Sequence, residues 1–256
     1  MVQRTLRLHF DEQATGLAEQ CKAQLVEARV QMLAAHTARV RPETLLRSYS
    51  NFIDAMLSSL WESSVASPSN RSRIALAAVG GYGRRELHPG SDIDLLILRA
   101  REDSNRESTK IADFIRFLWD IGLQVGHSTR TLQECADQAR ADITVVTNLM
   151  EARYLSGDPE LLFRLSARVA PERMWSPRRF FEAKRQEQVQ RHQRYGETAY
   201  NLEPHIKEGP GGLRDIQTIQ WVGHRYFGTP NLQKLSEEGF LTKVEVHELL
   251  KGRELL

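Results

Sequence analysis

Residues 75–98 read ALAAVGGYGRRELHPGSDIDLLIL, and no other stretch constrains the fold of this chain as tightly. Two apolar runs enclose a turn-rich segment. The first run ends at Gly80-Gly81, and the second carries Asp92 and Asp94 around Ile93. Side chains alternate across a strand, so both carboxylates point to the same face. Acids inside an otherwise apolar strand are costly unless water or a cation meets them. Gly80 and Gly81 have no side chains to obstruct a phosphate, and their amides can face its oxygens. The pattern therefore reads as a site for Mg²⁺ and a nucleoside triphosphate. Mg²⁺ takes carboxylate oxygens, and in-line displacement at phosphorus uses metal ions held by shared carboxylates. Arg84 and Arg85, in the connecting turn, supply charge that neutralises phosphate. The plain alternative is a β-hairpin with a polar turn, because Asp-x-Asp and Gly-Gly are each common alone.

The rest of the chain supplies helices around this unit. From Glu12 to Ala38 there is no proline, and Leu17, Cys21, Leu25, Ala28, Met32 and Ala35 recur at three- and four-residue steps. That spacing predicts an amphipathic helix. Pro42 opens a second, carrying Leu45, Tyr49, Phe52, Ile53, Met56, Leu57 and Leu60. Ser63–Ser72 reads as a loop. Ile74–Val79 and Asp92–Leu98 read as strands, Ser108–Ile121 as a helix and Gln124–Thr131 as a third strand. Asp142–Leu155 reads as a helix. From Pro159 onward the pattern is mainly helical, with a polar helix over Arg178–Arg194. The segment NLEPHIKEGPGGLRD, residues 201–215, is too rich in Gly and Pro for a helix interior, and a further helix starts near Leu213. The expected organisation is an N-terminal helical segment over 1–62, a catalytic core over 63–150 and a helical domain over 151–256. The final residues, LTKVEVHELLKGRELL, keep helical periodicity without a stop signal, so the natural protein is expected to continue beyond Leu256.

Composition excludes more than it selects. A net charge of +2 makes no demand for a nucleic-acid partner, and no basic, aromatic-rich tract is present. No apolar run spans a bilayer, and MVQRTLRLHFDEQ lacks an apolar signal core, so a cytoplasmic location is expected. Cys21 and Cys135 show neither disulfide nor metal-ligand spacing.

The Gly-Gly and Asp-x-Asp resemble the signature of the nucleotidyltransferase superfamily with the DNA polymerase β-type fold. GGYGRRELHPGSDIDLLIL, FLWDIGLQVGHSTRT (117–131), TNLMEARYLSGD (147–158) and NLEPHIKEGPGGLRDIQTIQW (201–221) together resemble the bacterial PII uridylyltransferase/uridylyl-removing family, over roughly residues 45–250. The resemblance implies an α+β fold: a small mixed sheet with helices, flanked by an N-terminal helical hairpin and a C-terminal helical domain. It implies Mg²⁺-dependent transfer of UMP from UTP to a tyrosine of the signalling protein PII, with release of pyrophosphate. Asp92 and Asp94 would hold Mg²⁺, and Gly80 and Gly81 would contact the UTP phosphates. Family members continue into a phosphohydrolase domain and two ligand-sensing domains for glutamine. Neither is present here, so removal of UMP and glutamine control are not expected of this chain. Glutamine synthetase adenylyltransferase shares a related glycine-rich segment, so adenylyl transfer to a protein is an alternative. A catalytically inactive nucleotide-binding module is another.

Several residues carry two readings. The superfamily often adds a third carboxylate on the strand after the helix, but Gln124–Ser128 has none; Asp142 or Glu151 would substitute, or serve as ordinary helix charges. His127 alternates with Val125 and Thr129, either facing the Asp pair as a nucleotide contact or proton acceptor, or acting structurally. Lys207 and Arg214 flank Gly209-Pro210-Gly211-Gly212 and either contact the nucleotide or belong to a tight connection. The charges of Arg178–Glu187 read as a solvated helix with i,i+4 pairs.

Overall fold

A computed structural model describes residues 16–66, 73–100, 105–195 and 205–255. The architecture is α+β, with a four-stranded mixed sheet. The chain divides into two compact units. One holds the residues up to Ala139 together with Val145–Arg168, and the other Arg140–Thr144 together with the residues from Val169.

The first unit opens with helices α1 (Leu17–Thr37) and α2 (Pro42–Ser64). Proline begins α2 because its fixed φ suits the first helical turn, where no amide partner is needed. Strand β1 (Ile74–Ala78) follows, then a single turn α3 (Gly80–Gly83), strand β2 (Ile93–Arg99), helix α4 (Asn105–Asp120) and strand β3 (Val125–Thr131). The sheet order is β3-β2-β1 and then a fourth strand, β4 (Arg153–Gly157). β1 pairs antiparallel with β2 and with β4, while β2 pairs parallel with β3. A parallel pair needs a crossover, which α4 supplies.

Period-two alternation divides the strands between two apolar layers. Ile74, Leu76, Ile93, Leu95 and Ile97 join a core with Phe52, Ile53, Met56, Leu57 and Trp61 of α2 and Phe114, Ile115 and Leu118 of α4. Trp61 meets Phe114 edge to face at 5.2 Å. Ala75, Ala77, Leu96 and Leu98 alternate with these and are buried too. Helix α7 (Pro159–Arg168), with buried Leu161 and Leu165, lies against β1 and β2. Strands covered on both faces read as unbroken apolar runs.

One expectation is corrected. Residues 142–155 do not form one helix: α6 (Ile143–Met150) stops, and β4 begins at Arg153. Val146 and Leu149 carry a helical spacing, yet β1 has a second edge to satisfy, and residues 153–157 pair along it. Gly157 makes the end of that pairing possible, with φ +92° and a position where a Cβ would stand 2.3 Å from the Ile74 carbonyl oxygen. Helix α5 (Leu132–Ala141) is a second element not anticipated. Thr131 and Glu134 form its capping box: the Thr131 amide donates to Glu134 Oε2 at 2.6 Å, and the Glu134 amide to Thr131 Oγ1 at 3.2 Å. In the loop expected over 63–72, α2 continues to Ser64, and residues 67–72 lie outside the described ones.

The second unit contains α8 (Pro177–Arg194), α9 (Leu213–Phe227), α10 (Leu232–Glu237) and α11 (Lys243–Leu255). The helices expected over 178–194, from 213 and at the C-terminus are all present. Leu232, Leu235 and Val246 form an apolar cluster with Ile219 of α9. Among the described residues, no helix is long and apolar enough to cross a membrane.

Candidate active site

The two acids stand at the start of β2. Asp92 precedes the strand and Asp94 is its second residue; both are exposed, while Ile93 between them is 3% exposed. The alternation expected of a strand thus separates the pair from the core. The Val79 amide donates to the Asp94 carbonyl at 3.0 Å, which joins the strand to the approach of the Gly-Gly turn.

The Asp94 carboxylate lies between two glycines. A Cβ on Gly80 would stand 3.2 Å from Asp94 Oδ2, and one on Gly126 would stand 2.9 Å from Oδ1. Gly126 is directly opposite Asp94 in the parallel β2–β3 register. Any side chain at Gly126 would therefore push the carboxylate from its seat. Nothing in the local sequence singles out Gly126; only the β2–β3 register marks it. Gly80 has φ +59°, a backbone conformation that side chains strongly disfavour.

The turn itself closes with short backbone bonds. Gly83 donates to the Val79 carbonyl at 3.0 Å, Arg84 to Gly80 at 3.1 Å and Glu86 to Gly81 at 2.9 Å. Arg84 is held from two sides: Nε donates to Glu86 Oε2 at 2.8 Å and a terminal nitrogen to Glu151 Oε1 at 2.6 Å. The Arg84 and Glu151 side chains are 19% and 6% exposed. Burial pulls the Arg84 pKa down, but the charges of Glu151 and Glu86 outweigh it and raise it above the ordinary value. Arg84 thus braces the turn from within the fold. Glu151, one of the two acids weighed as a third carboxylate, is its partner. Asp142, the other, caps α6 by accepting the Thr144 amide at 2.7 Å.

His127 falls out of phase with the acids. It lies opposite Leu95, one residue along from the Asp94–Gly126 pair, and so points to the other face of the sheet. There its ring meets Trp119 of α4 edge to face at 6.2 Å. Lys207 and Arg214 belong to the second unit. Lys207 is exposed. Arg214 donates to Glu208 Oε1 at 3.0 Å and to Gln217 Oε1 at 2.8 Å, and stacks over Trp221 at 5.4 Å. Arg214 is thus spent on the connection it flanks.

Among the described residues, no group of three or more His, Cys, Asp or Glu side chains comes together as a metal cage. Two exposed carboxylates at the start of one strand nevertheless fit Mg²⁺, which commonly takes one or two carboxylates and completes its shell with water and substrate phosphates.

A family model described as GlnD PII-uridylyltransferase matches residues 179–256, and one described as putative nucleotidyltransferase DUF294 matches residues 25–137. Three relatives are each named bifunctional uridylyltransferase/uridylyl-removing enzyme. That of Nitrosococcus oceani is 55% identical over 185 residues, covering 72% of this chain and 21% of the relative. That of Pseudomonas fluorescens Pf-5 is 52% identical over 205 residues, covering 80% and 23%. That of Aliivibrio fischeri is 43% identical over 229 residues, covering 90% and 26%. The chain thus spans about a fifth to a quarter of the length of the curated relatives it matches.

Proposed function

The chain is a nucleotidyltransferase-family protein that matches the N-terminal portion of the uridylyltransferase/uridylyl-removing enzymes, and from that premise we propose that it transfers UMP from UTP to a tyrosine of the signalling protein PII. The observation that carries this reading is the exposed Asp92 and Asp94 pair, with Asp94 seated between Gly80 and Gly126.

In the reaction, a bond forms between the tyrosine oxygen and the α-phosphorus of UTP. The bond from that phosphorus to the bridging oxygen breaks, and pyrophosphate leaves. The tyrosine proton is lost to solvent or a base. A phenol has a pKa near 10 and is a weak nucleophile at neutral pH unless it is activated. Asp92 and Asp94 would hold Mg²⁺, which when bound supplies charge to the phosphates and favours loss of the hydroxyl proton. Gly80 and Gly81 would let the triphosphate approach the backbone closely. Arg84 holds the turn through Glu86 and Glu151. His127 is not assigned as the proton acceptor, because the strand register turns it away from Asp94.

The test is transfer of labelled UMP or AMP to purified PII with Mg²⁺. UMP transfer is the expected result. Preferential AMP transfer would replace the reading with adenylyl transfer. Transfer of neither by a folded chain would leave a nucleotide-binding module.

A further inference from the structure

Asp54, Tyr82 and Arg153 converge behind the Gly80–Gly83 turn from three parts of the chain that lie far apart in sequence. Arg153, on β4, grips the Asp54 carboxylate of α2 with both terminal nitrogens, at 2.6 Å to Oδ2 and 3.0 Å to Oδ1. The Tyr82 hydroxyl donates to Asp54 Oδ1 at 2.6 Å. The same guanidinium then reaches the turn itself. Nε donates to the Gly83 carbonyl at 3.1 Å, and a terminal nitrogen donates to the Tyr82 carbonyl at 3.1 Å. It also stacks over the Tyr82 ring at 5.2 Å. Arg85, just past the turn, stands 3.5 Å from Asp54 Oδ2. The Asp54 and Arg153 side chains are 17% and 18% exposed. Burial, then the Asp54 charge, holds the Tyr82 phenol well above its ordinary pKa, so it remains a donor at neutral pH.

Stability alone is a poor account of this arrangement. A buried ion pair is often no better than apolar packing of the same volume. What a guanidinium adds is direction, because its planar fork fixes two partners at once. Here that direction falls on a glycine-rich turn and adds to the backbone bonds that close it. Three of the four residues from Gly80 to Gly83 are glycine, and glycine is the most permissive backbone there is. The carbonyls of Tyr82 and Gly83 share their peptide planes with the amides of Gly83 and Arg84, so gripping those oxygens fixes the planes. The turn also carries the Gly80 seat of the Asp94 carboxylate.

We propose that Asp54 and Arg153 are positioning residues for nucleotide binding, holding the Gly80–Gly83 turn in the geometry that receives the triphosphate without touching it themselves. This rests on the reading of that turn as the phosphate cradle.

The test compares the 256-residue chain with its Arg153→Lys variant, which keeps the charge and loses the fork. KM is measured for UTP and for PII, and UTP affinity with Mg²⁺ by calorimetry. The expected result is a KM for UTP and a UTP dissociation constant each raised roughly ten- to a hundredfold, with the KM for PII unchanged. A merely structural pair would lower kcat in proportion to the folded fraction and leave both KM values alone, and that outcome overturns the proposal. Should Arg153→Lys fail to fold, Tyr82→Phe reads the same question, since it removes only the hydroxyl bond to Asp54. A rise of about threefold in KM for UTP supports the proposal and no rise overturns it. A parent chain that binds no UTP overturns the site reading and the proposal together. Unchanged variants of an active parent overturn the proposal alone.

Discussion

Asp94 and Asp215 both lie beside a glycine-rich turn, and the fold surrounds them differently. Asp94 sits exposed at the start of β2 with a bare glycine on either side. Asp215, in the first turn of α9, is ringed by donors. Arg191 reaches Oδ1 at 2.5 Å, Gln188 reaches it at 2.8 Å, and His192 Nε2 lies 3.1 Å from both oxygens. The Gly211 amide donates to Oδ2 at 2.8 Å. Burial pushes the Asp215 pKa up, but the bonds from Arg191, Gln188 and Gly211 outweigh it and hold the carboxyl below its ordinary value. An acid surrounded in this way is fixed as an anion and ties α8, the turn and α9 together. Glycine next to an acid therefore carries no fixed meaning. The donors around Asp215 show that an acid beside a glycine-rich turn can serve structure.

Substitutions can break that contrast. The largest effect is expected from Asp92→Asn or Asp94→Asn. UMP transfer should fall at least a hundredfold, about 3 kcal/mol of transition-state stabilisation. Thermal unfolding should shift little, since both acids are exposed. Activity that survives both substitutions would remove these acids from the site.

Asp215→Ala should do the reverse. It leaves Arg191, whose side chain is 9% exposed, without its short partner. A loss of about 2–3 kcal/mol in folding stability is expected, read by denaturant unfolding. Unchanged stability would make the ring of donors ornamental.

Gly126→Ala should come next. Its methyl would stand 2.9 Å from Asp94 Oδ1, so the carboxylate must move. Transfer should fall roughly tenfold while the fold stays intact, because small displacements of reacting groups are expensive. Activity equal to the parent would show that the Asp94 position tolerates the shift.

The smallest effect is expected from acid. Asp215 and Glu208 both titrate below their ordinary values; burial pushes Glu208 up, but Arg214, Lys207 and Arg191 outweigh it. A depressed carboxylate stabilises the fold above its unfolded pKa, about 4, and that stability is lost as pH falls through the folded value. The melting temperature should therefore drop on acidification below about pH 4, and Asp215→Asn should flatten that drop. Parallel curves for the parent and the variant would assign the acid sensitivity elsewhere.

Much of this contrast was legible in the primary structure. Ile93 between Asp92 and Asp94, inside an apolar run, shows the strand, its buried face and its acidic face. Periodicity likewise located α1 and α2. Other features were hidden for an identifiable reason. β4 follows a helical spacing and exists as a strand because β1 offers it an edge. Gly126 is one glycine among 16 until the register sets it opposite Asp94. Asp54, Tyr82 and Arg153 meet across nearly a hundred residues, beyond the reach of any local pattern.

The sequence by itself determined that two carboxylates flank a buried residue at the start of a strand beside a Gly-Gly, because alternation follows from the covalent geometry of an extended backbone. Only the tertiary structure decided what joins them there. It turned His127 to the opposite face, bound Arg84 to Glu86 and Glu151, and placed Gly126 under Asp94. The reason is physical: strand register is set by pairing between distant segments, and a shift of one residue exchanges every side chain between the two faces of the sheet.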